Sequence, residues 1–499
     1  MKRRSLLASA AVAPLFALGK PALAADKVLN VGAAVFPDSL RAGTASFASL
    51  SLLNQTNDQL ITRDNKGDLH PALATKWELI DPLTMRFTLR QGVKFTDGVE
   101  FTAEDVAFTI KYVLDPQTAY AQAARINQIA TASVVDKHTV DIKTKVVFPT
   151  LLRGLSDIIM QPKHYVEKVG INGFANKPMG TGPFIFQEWV PGDHYTLTAN
   201  KNYWGGAPKI DKVVIRTIPD GSTRVASLVS GESHIVEEIP IDLIDQVNAS
   251  GSAKIDQIAT TVGLVLTFDP TIKPFDNARI REAFDYAIDK PLILKQILKG
   301  QGDILQGQVL TRDALGFNPD LKARPFDPEK AKAMLKEQGF DFNTPVPITT
   351  QNGKYVSDTD ICQAIAGMLN KIGVKATVNI VEGGVFQQMN NALKFGPLHM
   401  IGWYNLGDAD FATVWYTKAG LRTRWYNEDY EKMFVAARST NDTDERVKIY
   451  REMGALAYRE NPSLFLFGLP SLYGVNKDLK GFGAAADKVL RLGQVELGK

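Results

Sequence analysis

The sequence has very little of the chemistry from which disulfide frameworks and metal centres are built. Its 499 residues include one cysteine, Cys362, and six histidines scattered at positions 70, 138, 164, 194, 234 and 399. A single cysteine can neither close an intrachain disulfide nor build a cysteine-rich metal cluster. We therefore predict that the chain has no intrachain disulfide, holds no metal through its own side chains, and is stabilised by hydrophobic cores.

Motifs for catalysis are also missing. The chain has no G-x-S-x-G motif for a serine nucleophile and no H-E-x-x-H motif for a zinc hydrolase. The nearest pattern, His234-Ile-Val-Glu237-Glu238, lacks a second histidine. The glycines of Gly180-Thr-Gly182 are not followed by the Lys-Ser/Thr of a phosphate loop. We predict no catalytic residue, no cofactor and no enzymatic activity.

The first 24 residues have the three parts of an export signal. Lys2-Arg3-Arg4 is a basic start, Leu6–Leu18 is an apolar core, and Ala22-Leu23-Ala24 is a cleavage site. The apolar core is too short to span a bilayer, and no cysteine for a lipid anchor lies near the cleavage site. The arginine pair fits a twin-arginine signal and an ordinary secretory signal equally. We predict an exported periplasmic protein without a lipid anchor.

The positive charge of the chain belongs to that signal. Removing residues 1–24 takes away four basic residues and no acidic residue, so the formal net charge of +3 becomes −1. A mature chain so close to neutrality provides no argument for nucleic acid or an anionic membrane as a partner. We predict no nucleic-acid partner.

Strand and helix patterns alternate along the mature chain, which predicts an α/β fold. Residues 28–219 are rich in strands, and capped helices dominate after Gly263. A strand over Val374–Val381, a helix over Gly384–Leu393 and a strand over Leu398–Trp403 form a β-α-β unit. Such a unit predicts a parallel strand pair with a right-handed crossover.

The segment Pro71–Val106 has clear local structure signals and no group arranged for chemistry. Trp77–Arg90 predicts a β-hairpin that turns at Asp81-Pro82. Thr102 is the predicted cap of a helix that ends before Pro116.

The chain carries a series of distinctive sequence blocks. They are P-x-LA-x-x-W-E, F-x-LR-x-GVKF-x-DG and FTAEDV-x-F within residues 71–108, GTGPF at 180–184, Asn202–Lys209, Pro219–Glu232, PFDN-x-RIREAF-x-YAID at 274–289 and DPEKAKAMLKEQGF at 327–340. These blocks resemble those of the family 5 extracellular solute-binding proteins of ABC importers, which bind dipeptides, oligopeptides and nickel, and residues 71–106 resemble the signature region of that family. The resemblance covers nearly the whole mature chain.

The resemblance implies a two-lobe periplasmic binding protein fold, class II-like, with an enlarged first lobe and a hinge between the lobes. Residues 25–268 and 478–499 would form the strand-rich first lobe with its extra subdomain, and residues 269–477 the second lobe. The first crossing between the lobes would fall near Leu264–Asp269.

A ligand site is predicted in the loop after the strand Leu398–Trp403, because ligands of open α/β sheets bind at the carboxyl ends of strands. Trp403 and Tyr404 offer flat apolar surfaces with a polar handle, and Asn405 is a further candidate contact. Asp408 and Asp410 could neutralise a cation in a site closed from water.

This loop departs from the family pattern. In dipeptide- and oligopeptide-binding relatives it resembles G-W-x-x-D-x-x-D-P-D, and an aspartate there pairs with the α-ammonium group of the peptide. Here Leu406 replaces the first aspartate, and Gly407–Asp410 resembles the G-D-P-D end with one residue missing before it. Asp408 is the predicted ammonium partner, so Asp408→Ala should abolish binding of an amine-bearing ligand and leave folding intact. The alternative is that Asp408 or Asp410 caps the helix over Ala412–Tyr416.

The other wall of the site is predicted in the first lobe. Val35–Arg41 lies where relatives carry a segment ending in Leu-Asp-Pro, and Arg41-Ala42 replaces the Asp-Pro. Arg41 is either a bidentate partner for a carboxylate or a solvated surface arginine. Phe36 and Phe47 are either pocket walls or core residues.

The resemblance implies a periplasmic component of an ABC transporter that captures a small solute by hinge closure. The expected solute is a peptide or an amino-acid derivative. The expected partners are an inner-membrane permease and its ATPase, and the protein is expected to be a monomer. A nickel chelate or another non-peptide solute, a sensory or chaperone-like role, and a periplasmic enzyme on the same scaffold remain alternatives. His399, on the strand that leads to the loop, is the histidine of interest for a chelate.

Overall fold

The computed structural model describes residues 26–35, 37, 39–43, 47–420 and 423–498. The predicted export signal and Phe36 lie outside the described residues, and for Phe47 only the backbone is described.

The described residues form nineteen β-strands, several of them very short. The strands are β1 Val28–Ala33, β2 Ile61–Arg63, β3 Leu69–Pro71, β4 Ala74–Asp81, β5 Thr84–Leu89, β6 Ile129–Asp136, β7 Thr139–Thr144, β8 Phe184–Val190, β9 His194–Ala199, β10 Lys212–Thr217, β11 Ile235–Glu237, β12 Ala253–Phe268, β13 Asp303–Ile304, β14 Pro345–Gln351, β15 Lys375–Val381, β16 Leu398–Tyr404, β17 Ser463–Asn476, β18 Leu479–Lys480 and β19 Glu496–Leu497.

Fourteen α-helices lie between these strands in the described part of the chain. The helices are α1 Phe47–Leu53, α2 Ala103–Leu114, α3 Leu151–Leu155, α4 Lys163–Asn176, α5 Gly221–Val229, α6 Ile244–Ala249, α7 Ala278–Tyr286, α8 Lys290–Gln296, α9 Pro328–Glu337, α10 Asp358–Lys371, α11 Gly383–Ala392, α12 Ala409–Thr413, α13 Glu428–Arg438 and α14 Thr443–Glu460.

One large mixed sheet runs through the molecule in the order β15-β14-β16-β12-β17-β11-β1-β10-β9-β8, and β13 adds to β17. On one side β11, β1 and β10 are parallel. On the other side β15, β14 and β16 are parallel. The two long strands β12 and β17 pair antiparallel between them, so they connect both halves of the sheet.

The predicted hairpin and helix of the segment Pro71–Val106 are present. β4 and β5 pair antiparallel around the Asp81-Pro82 turn and join β7 and β6 in a separate four-stranded sheet. Thr102 and Asp105 form a capping box at the start of α2, in which the Thr102 N–H donates to the Asp105 carboxylate at 2.9 Å. This four-stranded sheet is separate from the large mixed sheet and is built from residues in the first third of the chain.

The prediction of a β-α-β unit is confirmed for the direction of its two strands, which are parallel, and is wrong in making them neighbours in the sheet. β15 and β16 are parallel and are connected through α11, but they do not pair with each other. β14 lies between them and is parallel to both. Because a crossover fixes the direction of the second strand and not its neighbour, a strand from earlier in the chain could take the middle position.

Hydrophobic cores lie on both halves of the sheet. The first core contains β1, β9, β10 and α2 together with Leu490 and Leu492 near the carboxyl terminus. The second contains α7, α9 and α10 and the apolar side chains of β14. A third core packs under α12, α13 and α14. The second core also reaches α5 and β11. We use first lobe for the part of the molecule around β11, β1, β10, β9 and β8, including α5 and the four-stranded sheet, and second lobe for the part around β15, β14 and β16, including α7 and α9 to α14.

The strands β12 and β17 form the connection between the lobes. The pairing of β12 with β17 shifts register between Ala259 and Gly263, at the middle of both strands. The residues after β17 return to the first lobe, where the Leu490 N–H donates to the Ser51 hydroxyl at 2.8 Å. The predicted lobe boundaries, 268/269 and 477/478, remain a prediction, since the connecting strands belong to both lobes.

Candidate ligand-binding cleft

The strand directions place a cleft between the lobes. β11 is antiparallel to β17, β17 to β12, and β12 to β16, so β11 and β16 run in opposite directions. The strands parallel to each of them share its direction. The carboxyl ends of both parallel sets therefore face each other across the middle of β12 and β17. Carboxyl ends of strands in open α/β sheets are where ligands bind.

The register gives the separation of the two facing edges. At the end of β11, Glu237 pairs with Tyr473, which pairs in turn with Asp256 of β12. At the end of β16, Tyr404 pairs with Val262 of β12. Six residues of β12 thus separate the two edges, which is about 20 Å of extended strand. Such a gap accommodates a small solute together with the loops that reach toward it.

A turn at the end of β11 forms the edge of the first lobe. Arg224 of α5 is 5% exposed and holds this turn with its guanidinium group. It donates to the carbonyls of Glu237 and Glu238 at 3.0 and 2.8 Å. It also donates to the carbonyls of Ile218 and Pro219, just after β10, at 2.7 Å each. Arg224 therefore ties the ends of two strands into one rigid edge.

Glu237 and Glu238 are in different electrostatic environments. Glu238 forms an ion pair of 2.7 Å with Lys488, and no ion pair among the described residues involves Glu237. Burial and the neighbouring charge of Glu238 raise the pKa of Glu237 to about 7, against a hydrogen bond from the Ala34 N–H and the charges of Lys488 and Arg224. Burial also acts on Glu238, but the charge of Lys488 brings the pKa of Glu238 below its usual value.

The segment after β17 closes the base of the cleft. The Ala486 carbonyl accepts from the Thr261 N–H at 3.3 Å, where β12 crosses between the lobes. The Lys488 carbonyl accepts from the Tyr473 hydroxyl at 3.4 Å. Lys488 and Glu238, the two partners of the ion pair, have φ angles of +59° and +53°. Left-handed backbone is strained for such residues, and strain of this kind clusters at functional sites.

The second lobe contributes Tyr404 to the cleft. Tyr404 is partly exposed at the end of β16. Burial raises the pKa of its hydroxyl, and the charges of Lys488 and Glu238 also act on it. The predicted contact Tyr404 is therefore near the ion pair of the first lobe.

Trp403 and Asn405 point into the second lobe. Trp403 is 4% exposed and stacks on Trp415 with ring centroids 5.0 Å apart. Asn405 is fully buried, donates to the Thr311 hydroxyl at 2.9 Å, and accepts from the Gly407 N–H at 2.9 Å. Both residues support the loop, and their predicted contact with ligand remains a prediction.

Asp408 and Asp410 are each bound to an arginine of the second lobe. Asp408 is 3% exposed, caps α12 by accepting from the Asp410 N–H, and lies 2.9 and 3.0 Å from Nη2 of Arg446. Burial raises the pKa of Asp408, and Arg446 opposes that rise. Asp410 accepts two hydrogen bonds from Arg438, at 2.7 and 2.6 Å, and one from Tyr450. The geometry supports the capping alternative for Asp408; its ligand role remains a prediction.

Arg153 of the first lobe bridges to the same loop. Its Nη1 donates to the Leu406 carbonyl at 2.9 Å and to the Gly67 carbonyl at 3.1 Å. Gly407 has a φ angle of +80°, and a Cβ atom there would lie 2.7 Å from Nη1 of Arg153. The close approach of the two lobes at this point therefore depends on a glycine.

Arg41 is engaged within the first lobe. Its guanidinium group donates to the Thr118 carbonyl, and its backbone N–H donates to the Ser39 hydroxyl at 3.0 Å. A role for Arg41, Phe36 or Phe47 in ligand binding remains a prediction.

His399 is buried in the second lobe. It is 3% exposed, stacks on Phe395, and neither ring nitrogen has a hydrogen-bond partner in the part of the chain that the structure describes. Burial lowers its pKa to about 3. The described residues contain no group of three or more His, Cys, Asp or Glu side chains that could hold a metal ion. None of the described helices is long and apolar enough to cross a membrane.

The structure adds four residues that the sequence did not indicate as site residues: Arg153, Glu237, Glu238 and Lys488. The one usable signal was the charged pair Glu237-Glu238 directly after a short apolar strand. Lys488 and Arg153 are distant in the sequence from the residues that they contact, by 250 and 253 positions.

Solved structures of other proteins share this fold. The chain superposes on the substrate-binding protein CtaP of an ABC transporter from Listeria monocytogenes with a TM-score of 0.86, 21% identity, and coverage of 95% of this chain and 100% of that one. It superposes on the periplasmic binding protein DppA from Helicobacter pylori, solved with the peptide STSA, with a TM-score of 0.81, 23% identity, and coverage of 95% and 98%. The predicted α/β fold with two lobes is confirmed.

The chain belongs to the bacterial extracellular solute-binding proteins, family 5. The profile described as "Bacterial extracellular solute-binding proteins, family 5 Middle" matches residues 68–421. Among relatives, the glutathione-binding protein GsiB of Salmonella typhimurium strain LT2 is 28% identical over 423 residues, which is 82% of each chain. The dipeptide-binding protein of Escherichia coli strain K12 is 27% identical over 447 residues, which is 83% of each chain. The predicted family and class, a solute-binding protein of ABC importers, are confirmed.

Proposed function

We propose that this protein is the periplasmic component of an ABC importer and that it captures a small peptide-like solute. Family membership supports the class, and the names of the glutathione- and dipeptide-binding relatives support the solute. The observation that carries the proposal is the pair of strand edges, ending at Glu237 and Tyr404, that face each other across β12 and β17.

The proposed mechanism is closure of the two lobes around the solute. The lobes share β12 and β17, whose register shift near Ala259 lies between the facing edges. A solute that contacts both edges binds the closed state more tightly than the open state, and this difference shifts the equilibrium toward closure. The closed protein then docks on the inner-membrane permease, and ATP hydrolysis by the associated ATPase drives release.

The proposed contacts come from both lobes. Tyr404 is the side chain of the second lobe best placed for contact, because it is partly exposed and near the Glu238–Lys488 pair. Five further residues remain proposed contacts and rank below Tyr404: Trp403, Asn405, Arg41, Phe36 and Phe47. Asp408 and Asp410 are proposed to shape the loop through their arginines.

We further propose that the mature protein is a monomer without catalytic activity, exported by its first 24 residues. The arrangement of the described cleft residues offers binding groups from both lobes, and the family consists of solute-binding proteins. No cofactor and no nucleic acid enter the proposed mechanism.

Native mass spectrometry of the freshly purified periplasmic protein tests the proposal. We expect a monomer that carries a small adduct, and sequencing of the released adduct should give a peptide or an amino-acid derivative. Titration of refolded, ligand-free protein with a pool of dipeptides and tripeptides should show binding without turnover. Failure to bind the pool, or recovery of a nickel chelate or a sugar, would contradict the peptide proposal. Hydrolysis of the pool would contradict the non-enzymatic role.

A further inference from the structure

We propose that the Glu237 carboxylate binds a primary ammonium group of the solute, so that the first lobe selects amine-bearing solutes. This inference rests on the proposed function and names the chemistry by which the cleft recognises its solute.

The position of Glu237 is the first step. It is the last residue of β11, next to the end of β1, where the carboxyl ends of the parallel strands of the first lobe face the second lobe. The Arg224 guanidinium fixes the backbone of this turn through the Glu237 and Glu238 carbonyls. A carboxylate on so rigid an edge is oriented before the solute arrives, which lowers the entropic cost of binding.

The second step is that the Glu237 carboxylate lacks an ion-pair partner among the described residues. Glu238 is neutralised by Lys488 at 2.7 Å, and no described cation forms an ion pair with Glu237. Lys488 and Arg224 act on Glu237 only from beyond ion-pair distance, and a half-buried carboxylate without an ion-pair partner is costly in the ionised form. An ammonium group at that point would supply the missing charge and three hydrogen-bond donors.

The third step is that the two aspartates of the loop after β16 are already paired with arginines. Leu406 replaces the first aspartate of the family pattern, and its carbonyl accepts from Arg153. Asp408 and Asp410 face Arg446 and Arg438 within the second lobe. A solute amine therefore has its free carboxylate partner in the first lobe.

The groups around Glu237 determine how its binding depends on pH. The charges of Glu238, Lys488 and Arg224 act on Glu237, and the charge of Glu237 acts on Tyr473 of β17. One shell further out, Asp487 acts on Tyr473, and Glu238 and Lys488 act on Tyr404. The pKa of Glu237 is raised to about 7, so below pH 7 a proton must leave before an ammonium group can bind. Affinity should then fall by up to about tenfold for each pH unit below 7.

The test compares peptides with free and blocked amines. Refolded, ligand-free wild type, Glu237→Gln and the exposed-site control Glu232→Gln are titrated at pH 7.5 with a pool of dipeptides and tripeptides and with the same pool after N-acetylation. Gln keeps the shape of Glu237, and thermal unfolding verifies the fold of each variant. We expect wild type and Glu232→Gln to prefer the free-amine pool, and Glu237→Gln to lose about ten- to a hundredfold in affinity for it. The acetylated pool should bind all three proteins equally weakly.

Repeating the titration from pH 5 to pH 7.5 adds a second readout. Affinity for the free-amine pool should rise with pH in the wild type and stay flat in Glu237→Gln. Equal binding of both pools by the wild type, or unchanged affinity in Glu237→Gln, would overturn this inference and leave the proposed function standing. Absence of any peptide binding by the wild type would overturn the proposed function and this inference with it.

Discussion

The two aspartates of the loop after β16 have structural contacts within the second lobe. Asp408 caps α12 and pairs with Arg446, which is 3% exposed. Asp410 pairs with Arg438 and accepts from the Tyr450 hydroxyl. Asp408 thus pairs with a buried cation and Asp410 with a partly exposed one, so removing either carboxylate leaves an arginine without its ion-pair partner.

Replacing Asp408 by alanine should therefore destabilise the fold. Breaking a buried ion pair by removal of one partner costs about 3–5 kcal/mol, and Asp408→Ala would leave the Arg446 guanidinium in place. We expect a loss of this size in the free energy of unfolding, measured by urea titration. The control Asp429→Ala removes a side chain that is 80% exposed and should change stability by less than about 0.5 kcal/mol. Wild-type stability in Asp408→Ala would contradict this prediction and favour the ligand role.

At the residue scale, local roles are predictable from sequence and long-range roles are not. Asp408 caps α12 by accepting from the Asp410 N–H, only two positions along the chain. Caps of this kind can be predicted from sequence, because aspartate is a preferred residue at the start of a helix. Its partner Arg446 lies 38 positions away, with nothing in the intervening pattern to pair them. The same reason explains why Lys488 and Glu238, 250 positions apart, were not indicated as a pair.

At the element scale, the end of β11 depends on a helix that follows a different strand. Arg224 lies in α5, which begins directly after β10, and its guanidinium binds carbonyls at the ends of both β10 and β11. Asp220 caps the same helix by accepting from the Thr223 N–H at 2.7 Å. The matching block Pro219–Glu232 thus encodes a clamp between two strands.

Arg224→Lys should loosen this clamp while keeping the charge. A lysine ammonium is a compact point charge and cannot reach the four carbonyls that the planar guanidinium spans. We expect a loss of roughly 2–4 kcal/mol in the free energy of unfolding and weaker peptide binding, because the Glu237–Glu238 turn becomes mobile. The matched control is Arg216→Lys, an exposed arginine on β10. The clamp would be refuted by an Arg224→Lys protein that melts and binds like this control.

Elements with strong local signals were predicted well from sequence. The β4–β5 hairpin and the capped helix α2 were both expected, because turn and cap residues act within a few positions. The position of β14 between β15 and β16 was not expected, because strand order depends on packing across the whole second lobe. Sheet neighbours are decided at a longer range than turns.

At the scale of the whole molecule, the lobes are joined by chain connections and by noncovalent contacts. The strands β12 and β17 are chain connections that belong to both lobes. The hydrogen bond from Arg153 to the Leu406 carbonyl is a contact that can break without unfolding either lobe. In the proposed mechanism, β12 and β17 set the axis of closure, and the Arg153 hydrogen bond stabilises the state in which the lobes touch.

Arg153→Ala should consequently shift the ligand-free protein toward the open state. A hydrogen bond from a charged donor is worth about 1.5–3 kcal/mol, and its loss acts only on the state in which the lobes are in contact. We expect a larger radius of gyration by small-angle X-ray scattering without ligand, and an affinity for the peptide pool reduced by about tenfold or more. Removal of an exposed cation of the same lobe, Lys168→Ala, should change neither quantity. If Arg153→Ala scattered and bound like the wild type, the Arg153 contact would not stabilise the closed state, and this prediction would be wrong.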